Sequence, residues 1–278
     1  MSRSNIEWCD YTLNPVVGCS KCSPGCLNCY AEKMAHRHVH NPQTRAKYAD
    51  VIDASGKWNG KQSKFDFSVF KRLPKKPQRV FIGSMTDIFL QDVEIGTYSK
   101  SYLPLLFDCM ASHPQHTFML LTKRPENARQ WIEFSLNACV DDPLPNLWLG
   151  VTVCNQAEAD EKIPMLLDIP AAIRFISFEP LLGSVSLWRL FPEGACKKPA
   201  HEAGRRFVKN SEYENGIHWV ICGAETGPKK RPMNTDWAVY LRNQCKDAGV
   251  PFFFKKDSQG NALLAGEMVR EFPDEVRQ

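Results

Sequence analysis

Four cysteines lie within eleven positions near the start of the chain, in the segment GCSKCSPGCLNCYAEK. They are Cys19, Cys22, Cys26 and Cys29. Thiolates bind zinc and iron–sulfur clusters, so the group predicts a metal site. Only three residues separate the first pair of cysteines from the second, whereas zinc ribbons place a dozen or more between their pairs. The spacing therefore favours an iron–sulfur cluster over a structural zinc ion, and the proline and glycine between the pairs permit a tight loop.

The composition indicates a soluble globular protein. The 278 residues are 43% hydrophobic and 24% charged, with no run of eighteen apolar residues and no signal peptide at the start. We therefore expect a cytoplasmic protein without a membrane partner, in a reducing compartment where thiols remain available for metal. Six further cysteines are scattered singly and are expected in the core: Cys109, Cys139, Cys154, Cys196, Cys222 and Cys245.

Short apolar runs rich in β-branched and aromatic residues alternate with amphipathic, helix-length segments. The predicted strands are an early one near TLNPVVG, then RVFIGS (79–84), HTFMLLT (116–122), NLWLGVTV (146–153), IRFISFEP (173–180), HWVICGA (218–224) and PFFFK (251–255). The predicted helices include TYSKSYLPLLFDCMASH, RPENARQWIEFSLNACV, NQAEADEKIPMLLDI and TDWAVYLRNQCKDAG. Continuous apolar strands separated by helices indicate a parallel sheet. Six or seven strand–helix units favour an α/β partial or whole barrel, with a doubly wound sheet as the alternative.

Polar residues follow the ends of these strands, where parallel barrels carry their chemistry. In chain order they are Ser84, Thr86 and Asp87; Thr122, Lys123 and Arg124; Thr152 and Asn155; Ser177 and Glu179; Glu225 and Thr226; and Lys255 and Lys256. Any one of them could be a helix cap or a surface charge. Six consecutive strand ends with polar residues instead predict a lined pocket.

Several linked segments are similar to one known family. They are IEWCDYTLNPVVGCSKCSPGCLNCYAEKMA, LLTKRPE, LWLGVTV, ISFEPLLG, WVICGAETGPKKRPM and GVPFFFK. These segments resemble the phage Gp37/Gp68 family, a radical S-adenosylmethionine (SAM)-like group also known as a domain of unknown function, from about residue 5 to residue 257. The C-x3-C-x2-C spacing before YAEKMAHRH is also that of radical SAM enzymes. The resemblance implies a radical-SAM-like partial (β/α) barrel as a single domain over residues 1–278.

The cysteine loop departs from the family pattern at one position. The family usually has C-x6-C-x2-C, which matches Cys19, Cys26 and Cys29, and carries an aliphatic residue where this chain has Cys22. Two ligand triads are therefore possible, and Cys26 and Cys29 belong to both. The family has threonine or a similar residue at the position of Cys9, so Cys9 is expected to be incidental.

The resemblance also implies a cofactor and its ligands. Three thiolates would hold a 4Fe–4S cluster whose open iron binds SAM, and an electron from a donor protein would yield a radical that abstracts hydrogen. A cation should meet the SAM carboxylate, as Arg can do with two hydrogen bonds. The candidate SAM-binding residues are Lys123 and Arg124 for the carboxylate, Ser84, Asp87 and Glu179 for the amine and ribose, and Glu225, in the segment GAETG, near the adenosine.

The substrate hypothesis depends on two basic insertions. Residues 41–79 carry ten Lys or Arg against three Asp, a local charge of +7 in a chain whose total is +4. Five aromatic residues are interleaved with them: Tyr48, Trp58, Phe65, Phe67 and Phe70. Cations that neutralise phosphates and rings that stack on bases are typical of nucleic-acid binding, although a solvated loop with packed aromatics has the same composition. The second insertion, at about 187–216, contains CKKPAHEAGRRFVKN.

The sequence thus leads to three functional hypotheses. The preferred one is a cytoplasmic radical SAM enzyme that abstracts hydrogen during modification or repair of a nucleic acid or nucleotide. The second is a nucleic-acid-binding module with a structural iron–sulfur or zinc site and no SAM cleavage. The third is a radical SAM enzyme that acts on a small molecule or peptide.

Overall fold

The computed structural model describes residues 2–90, 102–139, 144–187 and 216–273. Almost all of the second predicted insertion, including Cys196 and its basic segment, lies outside the described residues. The side chain of Cys139 lies outside them as well.

Eight strands and six α-helices are present in the described chain. The strands are β1 (Ser2–Arg3), β2 (Tyr11–Leu13), β3 (Arg79–Ile82), β4 (Thr117–Thr122), β5 (Leu147–Thr152), β6 (Ile173–Phe178), β7 (Trp219–Cys222) and β8 (Phe252–Phe254). The helices are α1 (Tyr30–Val39), α2 (Arg45–Tyr48), α3 (Leu103–Ala111), α4 (Pro125–Cys139), α5 (Gln156–Leu167) and α6 (Thr235–Ala248). All seven predicted strands are confirmed, and β1, which pairs antiparallel with β2, is the addition.

The fold class is confirmed as α/β. The strands follow the order of the chain, from β1 to β8, as expected for a partial (β/α) barrel. β4 to β8 are built mostly from buried apolar residues, which is the composition of parallel strands covered on both faces. None of the described helices is long and apolar enough to cross a membrane.

Local sequence accounts for where several helices begin and end. The Asn155 side chain accepts a hydrogen bond from the Glu158 N–H and caps α5, and Asn234 caps α6 in the same way through the Asp236 N–H. Such caps satisfy backbone donors that the first helical turn leaves unpaired. Gly249 ends α6 with a φ of 68°, a left-handed conformation that glycine adopts without steric cost.

The described chain divides into two compact units, residues 1–147 and 148–278. In the first unit, β2, β3 and β4 pair in parallel, with Leu13 opposite Ile82 and Ile82 opposite Leu120. The inner side of α1 packs with the basic insertion in one apolar cluster, which contains Ala35, Tyr48 and Val51.

The second unit has its own parallel pairs, β5–β6, β6–β7 and β7–β8. Aromatic residues fill its core, with the ring of Trp219 in contact with those of Trp148, Phe175 and Phe253. Three of the scattered cysteines are buried as predicted, namely Cys154, Cys222 and Cys245, whereas Cys109 in the first unit is only partly buried.

Candidate functional site

The cysteine loop connects β2 to α1 in the first unit. The Ser23 hydroxyl accepts a hydrogen bond from the Gly25 N–H at the start of a short 3₁₀ turn, Pro24–Cys26, and Cys29 is the N-cap residue of α1. Cys22 is exposed, and the other three thiols of the loop are partly buried. The proline and glycine of the loop thus lie in a tight turn, as their residue types predicted.

The thiols of this loop are electrostatically unequal. The Cys22 thiol donates a hydrogen bond to Cys26 and, with the nearby Lys123 ammonium, lowers the pKa of Cys26 to about 5. The same hydrogen bond, followed by burial, raises the pKa of Cys22. Burial, followed by the Asp87 carboxylate, raises the pKa of Cys19 to about 11. These pKa shifts therefore favour the thiolate, the form that ligates metal, more at Cys26 than at Cys19 or Cys22.

Asp87, after β3, accepts hydrogen bonds from the end of β4. The Thr122 hydroxyl donates to one carboxylate oxygen at 2.7 Å, while the Lys123 N–H and the Arg124 guanidinium donate to the other at 3.0 and 3.1 Å. The Asp87 and Arg124 side chains are only 7% and 10% exposed. This buried ion pair joins the ends of two neighbouring strands at one place.

The second arm of Arg124 reaches the cysteine loop. Its Nη2 donates to the Ser20 carbonyl at 3.0 Å and to the Ser20 hydroxyl at 2.8 Å. The guanidinium thus holds the start of the loop against the β3 and β4 ends. Of the two predicted carboxylate-binding cations, Arg124 is engaged with Asp87 and Ser20, and Lys123 lies next to the Cys26 thiol.

The Ser84 side chain, just after β3, is hydrogen-bonded to Asn14, just after β2. Its hydroxyl exchanges hydrogen bonds with the Asn14 amide at 2.9 and 3.2 Å, and the Ser84 carbonyl accepts from the Tyr30 hydroxyl at 2.7 Å. Asn14 also accepts from the Met85 N–H. The structure therefore brings Ser84, Asp87, Lys123 and Arg124 together with the cysteine loop in one unit.

The basic insertion supports the cysteine loop from the other side. The Gly60 N–H donates to the Cys19 carbonyl, and the Gln62 amide donates to the Thr86 hydroxyl and to the Asp87 carbonyl. The Trp58 N–H donates to Glu32 of α1. Sequence reasoning missed Gln62, Asn14 and Ser20, because their contacts depend on residues far apart in the chain.

Lys33 of α1 is a further residue that the sequence reasoning missed. Its Nζ is buried and has no hydrogen-bond partner among the described residues. Lys33 follows Cys29 by four positions, so the two residues lie on the same face of the helix start. The four-residue spacing between Cys29 and Lys33 was the feature of the sequence that could have identified Lys33 as a site residue. A buried ammonium without a hydrogen-bond partner is costly, so this position suits a negatively charged ligand.

The other two predicted SAM-binding residues lie in the second unit. Glu179, after β6, accepts a hydrogen bond from the Ser177 hydroxyl at 3.1 Å and forms an ion pair with Lys255, after β8, at 2.8 Å. A Cβ at Gly223 would lie 3.3 Å from both residues of this pair, so glycine gives them room. Three adjacent strand ends of the unit therefore meet at one polar group.

Glu225 makes a separate contact within its own loop. Its carboxylate accepts from the Arg231 N–H at 2.7 Å and forms a two-pronged ion pair with the Arg231 guanidinium. The Glu225 side chain is 5% exposed, whereas that of Arg231 is 30% exposed. The contact closes the loop between β7 and α6.

Metal geometry gives one negative finding. Among the described residues, no three His, Cys, Asp or Glu side chains are arranged to hold a single metal ion.

The side chains of the basic insertion divide into two groups. Its four basic residues in KRLPKK are exposed: Lys71, Arg72, Lys75 and Lys76. Most of its aromatic rings are instead packed: Tyr48 stacks on His38, Phe70 is 4% exposed, and Phe65 contacts Tyr102. Phe67, at 45% exposure, is the exposed member of the five predicted aromatics.

Comparison with known proteins gives a family match that covers nearly the whole chain. Residues 3–268 match the model of a family described as protein of unknown function (DUF5131). The chain therefore belongs to this family. No match was found among curated proteins or among solved structures.

Proposed function

We propose that this DUF5131 protein is a radical SAM enzyme whose cysteine loop holds a 4Fe–4S cluster. The observation that carries the proposal is the cysteine loop itself, which stands between a parallel strand and a helix and is tied to the ends of β3 and β4 by Asp87 and Arg124. The resemblance to the Gp37/Gp68 family and the C-x3-C-x2-C spacing of this chain, which is that of radical SAM enzymes, both support the same cofactor.

The donor set fits such a cluster. Cys26 and Cys29 would be ligands in either triad, with Cys19 or Cys22 as the third. The thiolate character of Cys26 and the neighbouring Lys123 ammonium match the negative charge that thiolate ligands bring to a cluster. When bound, the cluster and SAM would supply one-electron reduction and hydrogen-atom abstraction, with an electron donor protein as partner.

The residues of this chain would bind and orient SAM rather than supply the radical. Lys123, whose ammonium lies near the Cys26 thiol, is the proposed partner of the SAM carboxylate, with Arg124 beside it. Lys33 is a second candidate, since its buried ammonium has no partner in the described chain. Ser84 and Asp87 remain proposed contacts for the amine and ribose. Glu179, predicted for the same role, and Glu225, predicted near the adenosine, lie in the second unit, where they pair with Lys255 and Arg231.

A nucleic acid or nucleotide is the proposed substrate class. The four exposed cations of KRLPKK and the exposed Phe67 support it, because phosphate contacts and ring stacking need accessible groups. The packed aromatics Tyr48 and Phe70 reduce the stacking surface that the sequence suggested. Exposed cations contribute mainly a salt-dependent affinity.

The experiment for the cofactor is anaerobic purification and reconstitution, followed by iron and sulfide analysis and a SAM-cleavage assay with and without nucleic acid. We expect about four irons and four sulfides per chain and formation of 5′-deoxyadenosine after reduction. Cluster content without SAM cleavage would favour the binding module with a structural cluster. Stoichiometric zinc without iron would overturn the iron–sulfur assignment.

The experiment for the substrate is a salt titration of binding to single- and double-stranded DNA and RNA. Neutralising Lys71, Arg72, Lys75 and Lys76 together should flatten the slope of log K against log salt by up to roughly 3. The matched control neutralises four exposed basic residues outside the basic insertion, namely Lys229, Lys230, Lys246 and Arg270. If the KRLPKK variant keeps the parent's affinity and slope, a small molecule or peptide becomes the better substrate hypothesis.

A further inference from the structure

The C-terminal end of α1 carries a pair of histidines that the proposed function does not use. His36 and His40 are four residues apart in the segment HRHVH, and both side chains are exposed. Residues at this spacing share one face of a helix, and two histidines so placed hold zinc in known helical motifs. The pair is therefore a candidate two-ligand metal site.

The distance between the two rings matches metal coordination. The Nε2 atoms of His36 and His40 lie 3.3 Å apart. Two imidazole nitrogens bound to one tetrahedral ion at about 2.0 to 2.1 Å would be about 3.3 Å apart. The two nitrogens that would bind the ion thus already face each other at the required separation.

The basic insertion constrains one ring of the pair. A Cβ at Gly56 would lie 2.7 Å from Cδ2 of His36, so the glycine backbone packs directly against that ring. Gly56 has a φ of 79°, a conformation that disfavours any replacement with a side chain. A ring held in this way loses less conformational freedom when it binds an ion.

Electrostatics at this end of the helix also favours a cation. The last carbonyl groups of α1 carry the negative end of the helix dipole, and His40 is the C-cap residue. Imidazole ligands suit Zn²⁺, Ni²⁺ and Cu²⁺ rather than Mg²⁺ or Ca²⁺.

We propose that His36 and His40 form a surface site for a divalent transition-metal ion, with water in the remaining coordination positions. The site is distinct from the cysteine loop, because the pair lies at the opposite end of α1 from Cys29. A direct hydrogen bond between the rings would explain the same distance, but it requires a proton on one Nε2. Metal binding requires both atoms to be unprotonated.

The test uses the untagged protein after its accessible thiols have been blocked with iodoacetamide, so that cysteines do not bind the metal. Retention on an immobilised Ni²⁺ column and isothermal titration with Ni²⁺ are compared for the parent, His36→Asn and His40→Asn. The matched control is His38→Asn, because His38 lies on the same helix and is engaged with Thr44 and Tyr48. Thermal melts by circular dichroism confirm that each variant is folded.

Each single variant of the pair should bind Ni²⁺ at least tenfold more weakly than the parent, because one imidazole cannot chelate the ion. His38→Asn should retain the parent's affinity. Unchanged Ni²⁺ affinity in folded His36→Asn and His40→Asn would overturn the site. An equal loss in folded His38→Asn would overturn it too, since the binding would then not depend on the pair.

Discussion

The strand ends of the two units use their charged residues differently. In the second unit, Glu179 pairs with Lys255, and Glu225 pairs with Arg231, so each carboxylate is neutralised by one nearby cation. In the first unit, the Asp87–Arg124 pair also reaches Ser20 of a loop that carries four thiols. The Glu225–Arg231 pair thus closes its own loop. The Asp87–Arg124 pair instead positions the cysteine loop, whose chemistry lies in its thiols.

The largest expected effect is on the metal of the first unit. Cys26→Ala and Cys29→Ala should each abolish the iron content of anaerobically prepared protein, because both thiols belong to either possible triad. Cys19→Ala and Cys22→Ala should differ from each other, and we expect Cys19 to be required from its match to the family pattern. Cys109→Ala, which removes a partly buried thiol from α3, is the control and should retain full iron.

The outcomes of these cysteine variants distinguish the possible ligand sets. Normal iron in both the Cys19 and Cys22 variants would mean that the two thiols substitute for each other. Loss of iron in both would indicate a closed four-thiolate site, which leaves no iron open to SAM. Full iron in the Cys26 variant would contradict the cluster assignment.

The next effect contrasts the two kinds of ion pair. Arg124→Ala leaves the buried Asp87 carboxylate without its cation, so we expect a loss of about 3 to 5 kcal/mol in the free energy of unfolding. Arg231→Ala should cost roughly half as much, because the Arg231 side chain is 30% exposed and water can replace it. Urea denaturation of both variants measures the difference. If both variants lose the same free energy of unfolding, the burial of the Asp87–Arg124 pair does not make it cost more to break than the Glu225–Arg231 pair.

A pH effect is expected from the second unit. Burial, together with the Arg174 guanidinium, lowers the pKa of His218 to about 4, and its Nδ1 accepts a hydrogen bond from the Arg174 N–H. The unfolded chain therefore binds more protons than the folded one between about pH 6.5 and 4. This contribution to stability is fully present above about pH 6.5, and about 3 kcal/mol of it is lost as the pH falls to 4.

The variant His218→Asn tests this assignment, since its amide oxygen can accept the same hydrogen bond but does not titrate. Its free energy of unfolding should depend less on pH between 7 and 4 than that of the parent. A parental slope in His218→Asn would assign the effect to another group.

The smallest effect concerns ligand binding beside the cysteine loop. Lys123→Ala should weaken SAM binding about tenfold while the iron content stays the same, because a single charge-assisted contact is lost. Lys230→Ala, an exposed lysine of the second unit, is the matched control. Equilibrium dialysis with labelled SAM measures both. Parental affinity in Lys123→Ala would leave Lys33 as the candidate for the SAM carboxylate, which Lys33→Ala then tests.

Much of the fold and part of the candidate site could be predicted from the sequence. The positions of seven strands were confirmed, as was the packing of three scattered cysteines. Local composition and periodicity contain this information, because buried strands and amphipathic helices differ in the spacing of their apolar residues. The roles of individual site residues could not be predicted in the same way: Arg124 was expected to face a ligand, and the structure joins it to Ser20.

The sequence by itself determined the α/β alternation, the tight thiol-rich loop and the basic charge of residues 41–79, because each follows from residue type and short-range spacing. Only the tertiary structure decided which side chains meet. Ser20 and Arg124 are 104 positions apart, and Gln62 reaches the Asp87 carbonyl across 25 positions. The folded structure also buried Tyr48 and Phe70 and left Phe67 exposed. Such contacts depend on how whole elements pack, and packing satisfies buried polar groups with partners that no local pattern specifies.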